Sequence, residues 1–571
     1  MSFRKKEIEE VVKKALMRCG IDFNISFIVE QTEDLSHGDY ATNVSLIACK
    51  QMGSKPKETA EKIKEAIESE MPNEISHLEI AGPGFINFFL SDDTKAENLK
   101  LFLNDNFKKE IETEKGEVMF EHTDPNCFKS FHIGHLMTNT IGESLSRLYE
   151  AVGYKVTKVC YPSDIGRNVA MGVWGVMKNK NNIPSDNASL LEKVTFLGEC
   201  YAYANGQFEN NEDNKKEIIK INEEIYKGEN EEVMEIYNKG KEWSLDYFEL
   251  MYKKLGTSFD AYIYESEVSE KGLSIVRDFL SKGLFEESEG AIVYKGEQDG
   301  LHTRVFINSI GLPTYEAKDL GNYTRKLEIL PDAKYYAVVT ANEQNEYFKV
   351  VNKATEKIYP KLKGKLLHFG HGMLRLSEGK MSSREGNVIS AEEILNTISS
   401  KLEEKFSELD SKENIDALIS DVSVGAIKFS ILKQSIGRDI IFDLEKSISF
   451  EGDSGPYLQY THARIKQLLL KAYTLSIGAE INEDRPTEKQ LETYIYQFPE
   501  IIKKAYEENS PQHIVNYLLK LTREFNSFYA RQIIVDEKNK DSSYYVALSL
   551  AIGNTISYGL HILGITSPEK M

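Results

Sequence analysis

The stretch Val118-Met119-Phe120-Glu121-His122-Thr123-Asp124-Pro125-Asn126-Cys127-Phe128-Lys129-Ser130-Phe131-His132-Ile133-Gly134-His135 decides the fold. Val118 to His122 reads as a buried strand, and Gly134 opens a helix that runs to about Val152 and stops at Gly153. Lys155 to Tyr161 reads as a second strand, so the segment is one β-α-β unit, which requires a parallel sheet. His132-Ile133-Gly134-His135 thus sits between a strand's carboxyl end and a helix start, where parallel α/β sheets bind ligands. The free N–H groups and positive dipole end of a helix start suit phosphate. A glycine there lets a ligand come close. Two imidazoles three residues apart share one helix face and can donate to charge developing on a phosphoryl oxygen. Taken alone, the same residues would also make a helix cap or a partial metal site; the strand-to-helix setting favours a nucleotide.

Working outward, residues 1–112 read as a small α+β unit, with helical patterns at Lys5 to Arg18 and Pro56 to Ser69 and a strand at Gly84 to Leu90. The charged run Lys108 to Lys115 reads as a linker or helix end. Residues from about 175 to 300 are charged and mostly helical in pattern, an insertion between two halves of the sheet. Thr303 to Asn308, Tyr335 to Thr340 and Lys365 to Phe369 read as strands of the returning α/β pattern. After about Gly455 the periodicity is helical: Leu458 to Leu475, Glu488 to Glu508, Pro511 to Ala530 and Tyr544 to Leu563. A second loop, Gly379-Lys380-Met381-Ser382-Ser383-Arg384-Glu385-Gly386-Asn387, precedes a helix at Ser390 and has the small and basic residues that can close over a triphosphate.

The chain has 571 residues and a net charge of −20, which excludes a protein that coats nucleic acid by bulk charge. That charge is uneven: residues 1–115 carry −6, residues 454–571 carry zero and the middle carries −14. The tail therefore lacks the repulsion that the rest offers a polyanion. No apolar run is long enough to span a membrane, and MSFRKKEIEEVVKKAL lacks the apolar core of a secretory signal. Five scattered cysteines without a CxxC pair give no disulfide frame or cysteine zinc site, so a reducing cytoplasm is expected.

The two loops together resemble the HIGH and KMSKS motifs of class I aminoacyl-tRNA synthetases. Other segments narrow the resemblance to the arginyl-tRNA synthetases: Phe120 to Asn126 before the first motif, Pro313-Thr314-Tyr315-Glu316-Ala317-Lys318-Asp319, Gly455 to Arg464, the final Leu563 to Met571, and Gly38 to Asn43 with Gly84 to Leu90 near the start. The resemblance covers essentially the whole chain. It implies a Rossmann-like parallel-sheet catalytic domain (113–453) with a helical insertion, an N-terminal α+β added domain (1–112) that contacts tRNA, and a C-terminal all-α anticodon-binding domain (454–571). It also implies activation of L-arginine with ATP and Mg2+ as substrate, transfer to the 3′-terminal adenosine of tRNA(Arg), no tightly bound cofactor, no metal site, no membrane, a cytoplasmic location and a monomer.

Carried onto this sequence, the resemblance makes His132 and His135 the groups that stabilise the α-phosphate transition state. Gly134, Lys380, Met381, Ser382, Ser383 and Arg384 become the ATP contacts. Ser383 stands where class I enzymes usually have the second lysine of the loop, and Lys129, three residues before His132, matches a lysine thought to compensate. A guanidinium is a planar charged fork that needs a carboxylate in bidentate reach; Tyr315 and Asp319 match its contacts and Glu265 supplies a second carboxylate. Glu121 and Asn126 match the residues holding the α-amino and carboxyl groups, and Gln344 matches a further arginine contact. Tyr347 stands where a histidine is usual, a departure that bears on Gln344. Phe85 and Asn87 match contacts to the outer corner of the tRNA, although the same strand pattern suits plain core. Tyr457, Thr461 and Met571 match anticodon-side positions, with Thr461 replacing a more usual alanine, and Arg464 and Lys466 are candidate phosphate contacts. Rival readings are a small adenylyltransferase, another class I synthetase such as a cysteinyl enzyme, and an inactive tRNA-binding scaffold. The second loop with the helical tail, the lack of cysteine pairs, and the intact first motif with Lys129 speak against each in turn.

Overall fold

The computed structural model describes residues 4–32, 34–377, 390–406 and 415–571. Near its start, Ile8, Val12, Ala15 and Leu16 recur at helical spacing and are buried along one stripe of the helix Lys5–Arg18. Pro56 sits in the first turn of the helix Pro56–Glu68, where its missing N–H costs nothing. These helices and Val44–Met52 cover a four-stranded antiparallel sheet ordered Val29–Gln31, Tyr40–Thr42, Phe85–Leu90, Ile75–Ala81. Tyr496 of the helical tail enters the core of this unit, and Arg4 donates to the Tyr496 carbonyl at 2.5 Å and lies 4.7 Å over its ring.

The segment Lys108 to Lys115, expected to be a linker or helix end, begins as a helix end. Asp105–Glu110 forms a 3-10 helix whose Phe107 is buried against Phe102 and Tyr558, at ring separations of 4.5 and 5.4 Å. Phe107, just before the charged run, and Ile111 within it are buried and anchor it, while Lys109, Glu112 and Lys115 face water.

Five parallel strands follow, ordered in space Leu366–His371, Tyr335–Ala341, Glu117–Glu121, Lys155–Cys160, Ala261–Tyr262. Four of the five residues of Glu117–Glu121 are fully buried, as expected for a strand covered on both faces. The chain builds outward from this strand in one direction, then crosses back to add Tyr335–Ala341 on its other side. The crossing creates a crevice beyond the carboxyl ends of these two neighbours, the switch point at which such sheets bind ligands.

Thr303 to Asn308, expected in this sheet, lies elsewhere. Arg304–Ile307 pairs antiparallel with Ala291–Tyr294, which pairs with Glu286–Ser288 in a separate three-stranded sheet. The turn residues Glu289 and Gly290 both have positive φ, 49° and 78°, the geometry that folds neighbouring strands into a hairpin. The parallel sheet takes as its edge the two-residue strand Ala261–Tyr262, too short to leave a pattern.

The insertion helices Leu190–Asn210, Glu212–Lys227 and Glu231–Leu255 begin at Ser189, Asn211 and Asn230, whose side chains accept from first-turn N–H groups. The tail helices are Gly455–Thr474, Lys489–Glu507, Gln512–Arg531 and Ser542–Ile562, close to the spans read from periodicity. Helix Ile133–Ala151 runs from the crevice to this tail. Near its far end Arg147 donates to the carbonyls of Gly256 and His561, both at 3.0 Å, tying insertion and tail to the same helix.

Candidate active site

The loop from Thr123 to Phe128 is held in an unusual shape. Thr123, Asp124 and Phe128 have φ of 84°, 41° and 65°, in the left-handed region that side chains rarely adopt. Its restraints come from the next strand: Ser163 N–H donates to the Pro125 carbonyl, Cys127 N–H to the Ser163 carbonyl, each at 3.0 Å, and Tyr161 N–H to Asp124 Oδ1 at 2.7 Å. Phe128 N–H donates to Ser244 Oγ at 3.0 Å, so the insertion also fixes the approach to the motif.

His132 is the N-cap of the helix Ile133–Ala151. Its Nδ1 accepts from Gly134 N–H at 3.1 Å, and His135 Nδ1 accepts from His132 N–H at 3.3 Å. The rings stack at 3.7 Å. Burial holds His132 down at about 4, helped by the Lys129 charge; burial, then His132 and Lys129, hold His135 well below the usual imidazole range. Both rings are therefore neutral near pH 7. With both Nδ1 atoms accepting, each ring carries its proton on Nε2, as a donor. The capping reading of these histidines thus holds at Nδ1, and it leaves Nε2 of each ring as a donor. A Cβ on residue 134 would lie 2.9 Å from His132 Cε1, so glycine is needed to let the His132 ring fold over the helix start.

Lys129 lies 4.5 Å over the ring of Tyr201, on an insertion helix. Lys380, Met381, Ser382, Ser383 and Arg384 lie outside the described residues. The chain returns from them directly to the motif: Ser390 bridges His132 and Ala391 N–H donates to the Phe131 carbonyl at 2.9 Å.

A cluster of carboxylates gathers where the central strand ends and the helices Glu265–Ser281 and Tyr315–Ile329 meet it. Glu121, at the end of the central strand, accepts from Asn322 at 2.8 Å and pairs with Lys326 at 2.9 Å. Glu265 pairs with the equally buried Lys318, and burial still pushes its pKa up against that lysine's pull. Asp164 pairs with Lys241 at 2.5 Å and accepts from Ser266 N–H at 2.9 Å. Two further carboxylates, the partly exposed Asp124 and Asp319, have no cation within ion-pair distance among the described residues. Burial pushes Asp319 up to about 7 although Tyr347 donates to its Oδ2 at 2.7 Å, and burial with the neighbouring Glu121 drives Asp124 well above the carboxylate range. Five carboxylates thus face three lysines, and an added cation would relieve the excess.

Tyr315 is half-exposed and within 4.3 Å of Lys318, and its hydroxyl accepts from Asn168 at 3.3 Å. Asn126 is partly exposed in the zipped loop, and Gln344 closes a 3-10 turn as the N-cap of helix Asn345–Ile358. Sequence reasoning missed Asp124, Asp164, Lys318 and Lys326 as pocket groups, and it registered Tyr347 only as a departure.

On the N-terminal sheet Phe85 is partly exposed, whereas Asn87 is 3% exposed, which places its amide inside the sheet packing and not at a surface. In the tail, Asn526 donates to Tyr457 Oη and Thr461 Oγ1, both at 3.0 Å, and accepts from Arg464 at 3.4 Å. Thr461 is completely buried and also donates to the Tyr457 carbonyl at 2.9 Å. The expected direct contact from Thr461 is therefore corrected: it supports Tyr457 from behind, because the hydroxyl in place of a methyl group finds partners within the bundle. Arg464 lies over the rings of Tyr460 and Tyr529, Met571 packs on the core, and Lys466 pairs with Glu569 at 3.7 Å.

Comparison with known proteins agrees along the whole chain. Residues 98–444 match the family described as tRNA synthetases class I (R), catalytic domain; residues 458–571 match the DALR anticodon binding domain; residues 5–90 match the arginyl tRNA synthetase N terminal domain. The arginine–tRNA ligase of Fusobacterium nucleatum is 30% identical over 555 residues, covering 94% of this chain and 93% of the relative. That of Flavobacterium psychrophilum is 30% identical over 521 residues, 87% and 85%. The arginyl-tRNA synthetase structure from Thermus thermophilus superposes with a TM-score of 0.79 at 22% identity, over 99% of this chain and all of that one.

Proposed function

The chain belongs to the arginyl-tRNA synthetases, and on that premise we propose how its own residues divide the work. It is an aminoacyl-tRNA-forming ligase that uses ATP to charge tRNA with arginine. The carboxylate pocket takes the arginine side chain, with Asp319, Tyr315 and Glu265 around the guanidinium. Asn126, Gln344 and Glu121 lie toward the α-amino and carboxyl end. In the first step an arginine carboxylate oxygen bonds to the α-phosphorus of ATP and the bond to pyrophosphate breaks. In the second, the ribose hydroxyl of the 3′-terminal adenosine bonds to the arginyl carbonyl carbon and AMP leaves. His132 and His135 donate Nε2–H bonds to α-phosphate oxygens as their charge grows. Being neutral, they stabilise by hydrogen bonding and give up no proton. Gly134 permits the ring stacking that aims them. Lys129 supplies the phosphate charge that Ser383 lacks, and Lys380, Met381, Ser382 and Arg384 complete the ATP contacts. Mg2+ enters with ATP as part of the substrate.

The observation that carries this reading is the pair of carboxylates, Asp124 and Asp319, that meet no ion-pair partner among the described residues, in a chain whose first motif holds two Nε2–H donors. Phe85, Tyr457, Arg464 and Met571 are the surface we assign to tRNA, with Asn87 and Thr461 behind it. The working domain limits are 1–112, 113–453 and 454–571, and the enzyme acts as a cytoplasmic monomer. No described helix is long and apolar enough to cross a membrane. The test is ATP–pyrophosphate exchange with each of the twenty amino acids, with and without tRNA(Arg). Exchange with arginine alone, and only when tRNA is present, is expected. Exchange driven by another amino acid would overturn the substrate assignment, and none under any condition would favour a scaffold.

A further inference from the structure

Asp319 is held by a single described hydrogen bond, from Tyr347 Oη at 2.7 Å. Tyr347 is buried on helix Asn345–Ile358, while Asp319 is on helix Tyr315–Ile329. The phenol is itself clamped: the Arg304 guanidinium lies 5.0 Å over its ring and pairs with Glu316 at 3.0 Å. A clamped donor on one carboxylate oxygen leaves the other oxygen's direction fixed.

We propose that Tyr347 is the positioning residue that aims the Asp319 carboxylate into the arginine pocket. The proposal rests on the assignment of that pocket to arginine and names the group that sets its geometry. Tyr347 touches Asp319 and acts on substrate only through it. The other groups facing Asp319 work in opposite senses. Glu121 on the central strand and Glu265 on helix Glu265–Ser281 disfavour its charge, and Lys326 on its own helix favours it. Asp124 in the strained loop adds to the anionic side, and Lys318 is spent on Glu265. The phenols of Tyr161 and Tyr323, which also sense Asp319, stay protonated and contribute no charge. Tyr347 is thus the described hydrogen-bond donor that favours the ionised carboxylate. Without it Asp319 would keep its proton to higher pH, because burial already raises it to about 7.

The experiment is arginine-dependent ATP–pyrophosphate exchange by the full chain with tRNA, read as KM for arginine and kcat across pH. For Tyr347→Phe the arginine KM should rise about ten-fold near pH 7 and much less at about pH 8.5, with kcat within about two-fold. Tyr347→His, which keeps a ring donor, should recover part of the loss. Site-specific 3-fluorotyrosine at 347, a stronger donor of nearly the same shape, should move the acidic limb of the arginine KM to lower pH even if the phenylalanine variant folds poorly. An unmoved acidic limb with 3-fluorotyrosine, or a parental KM in folded Tyr347→Phe at both pH values, overturns the proposal. Asp319→Asn separates the two levels. If it keeps the parental KM, the pocket assignment fails; if it loses arginine while Tyr347→Phe does not, only the role of Tyr347 fails.

Discussion

The imidazole pair, proposed as the nucleotide end of the site, and the carboxylate cluster, proposed as its arginine end, are built in opposite ways. The imidazole pair is local: four consecutive residues cap their own helix, satisfy both Nδ1 atoms and remain neutral. The carboxylate pocket is assembled from distant segments. Its pairs, Glu121 with Asn322 and Glu265 with Lys318, join residues 201 and 53 positions apart, and the assembly leaves two carboxylates without an ion-pair partner among the described residues, both with raised pKa. A preorganised neutral donor pair has little to gain from substrate in the ground state and can act mainly in the transition state. Carboxyl groups held at raised pKa gain when a cation arrives and lets them ionise. The first should therefore govern kcat and the second KM.

The largest effect that could break this division is at Asp319. Asp319→Asn removes the charge facing the guanidinium and should raise the arginine KM at least about 100-fold in the exchange assay, the range for stripping one partner from a buried pair. A fall in kcat alone would show that the two ends are not separate. Next, His132→Asn keeps a good helix cap but deletes the Nε2 donor; kcat should fall about 100-fold with the arginine KM nearly unchanged. Lys129→Ala should slow activation about ten-fold in single-turnover adenylate formation, while tRNA affinity in a filter assay stays near normal. Unchanged activation would remove Lys129 from the phosphate site.

The smallest predicted effect is on stability, and there the two ends differ in sign. Asp319 is raised to about 7, so its contribution is present at acid pH and is lost as pH rises from about 4 through about 7. His132 is lowered to about 4, so its contribution is present above about 6.5 and is lost as pH falls through about 4. Thermal melts of Asp319→Asn and His132→Asn against the parent over pH 4 to 8 should therefore give difference curves of opposite slope. Parallel slopes would mean that the two groups share one titration. Saturating arginine should flatten the Asp319 curve and leave the other unchanged.

The legibility of the sequence follows the same line. The β-α-β unit, the tail helices and the imidazole pair were readable because each is written in contiguous residues with a fixed period. The strand at Arg304–Ile307 was readable as a strand, but its sheet was not: partner choice depends on a two-residue turn, not on apolar content. Ala261–Tyr262 was invisible, since two residues carry no period. In the site, Asp319, Glu121 and Glu265 came from resemblance to a family, while Asp124 and Asp164 carried no pattern that singled them out. Tyr347 looked like a substitution that weakened Gln344; in place, it is a donor to Asp319. Thr461 looked like a surface contact and is buried, because a helix period does not say which face a neighbouring helix covers.

By itself the sequence determined the local chemistry: a helix start with two neutralisable imidazoles, a parallel sheet beneath it, and a helical tail without net charge. Only the tertiary structure decided which buried carboxylates meet a lysine and which are left for a ligand. Ionisation in a low-dielectric pocket depends on the distances between charges, and those distances are set by how segments hundreds of residues apart pack together.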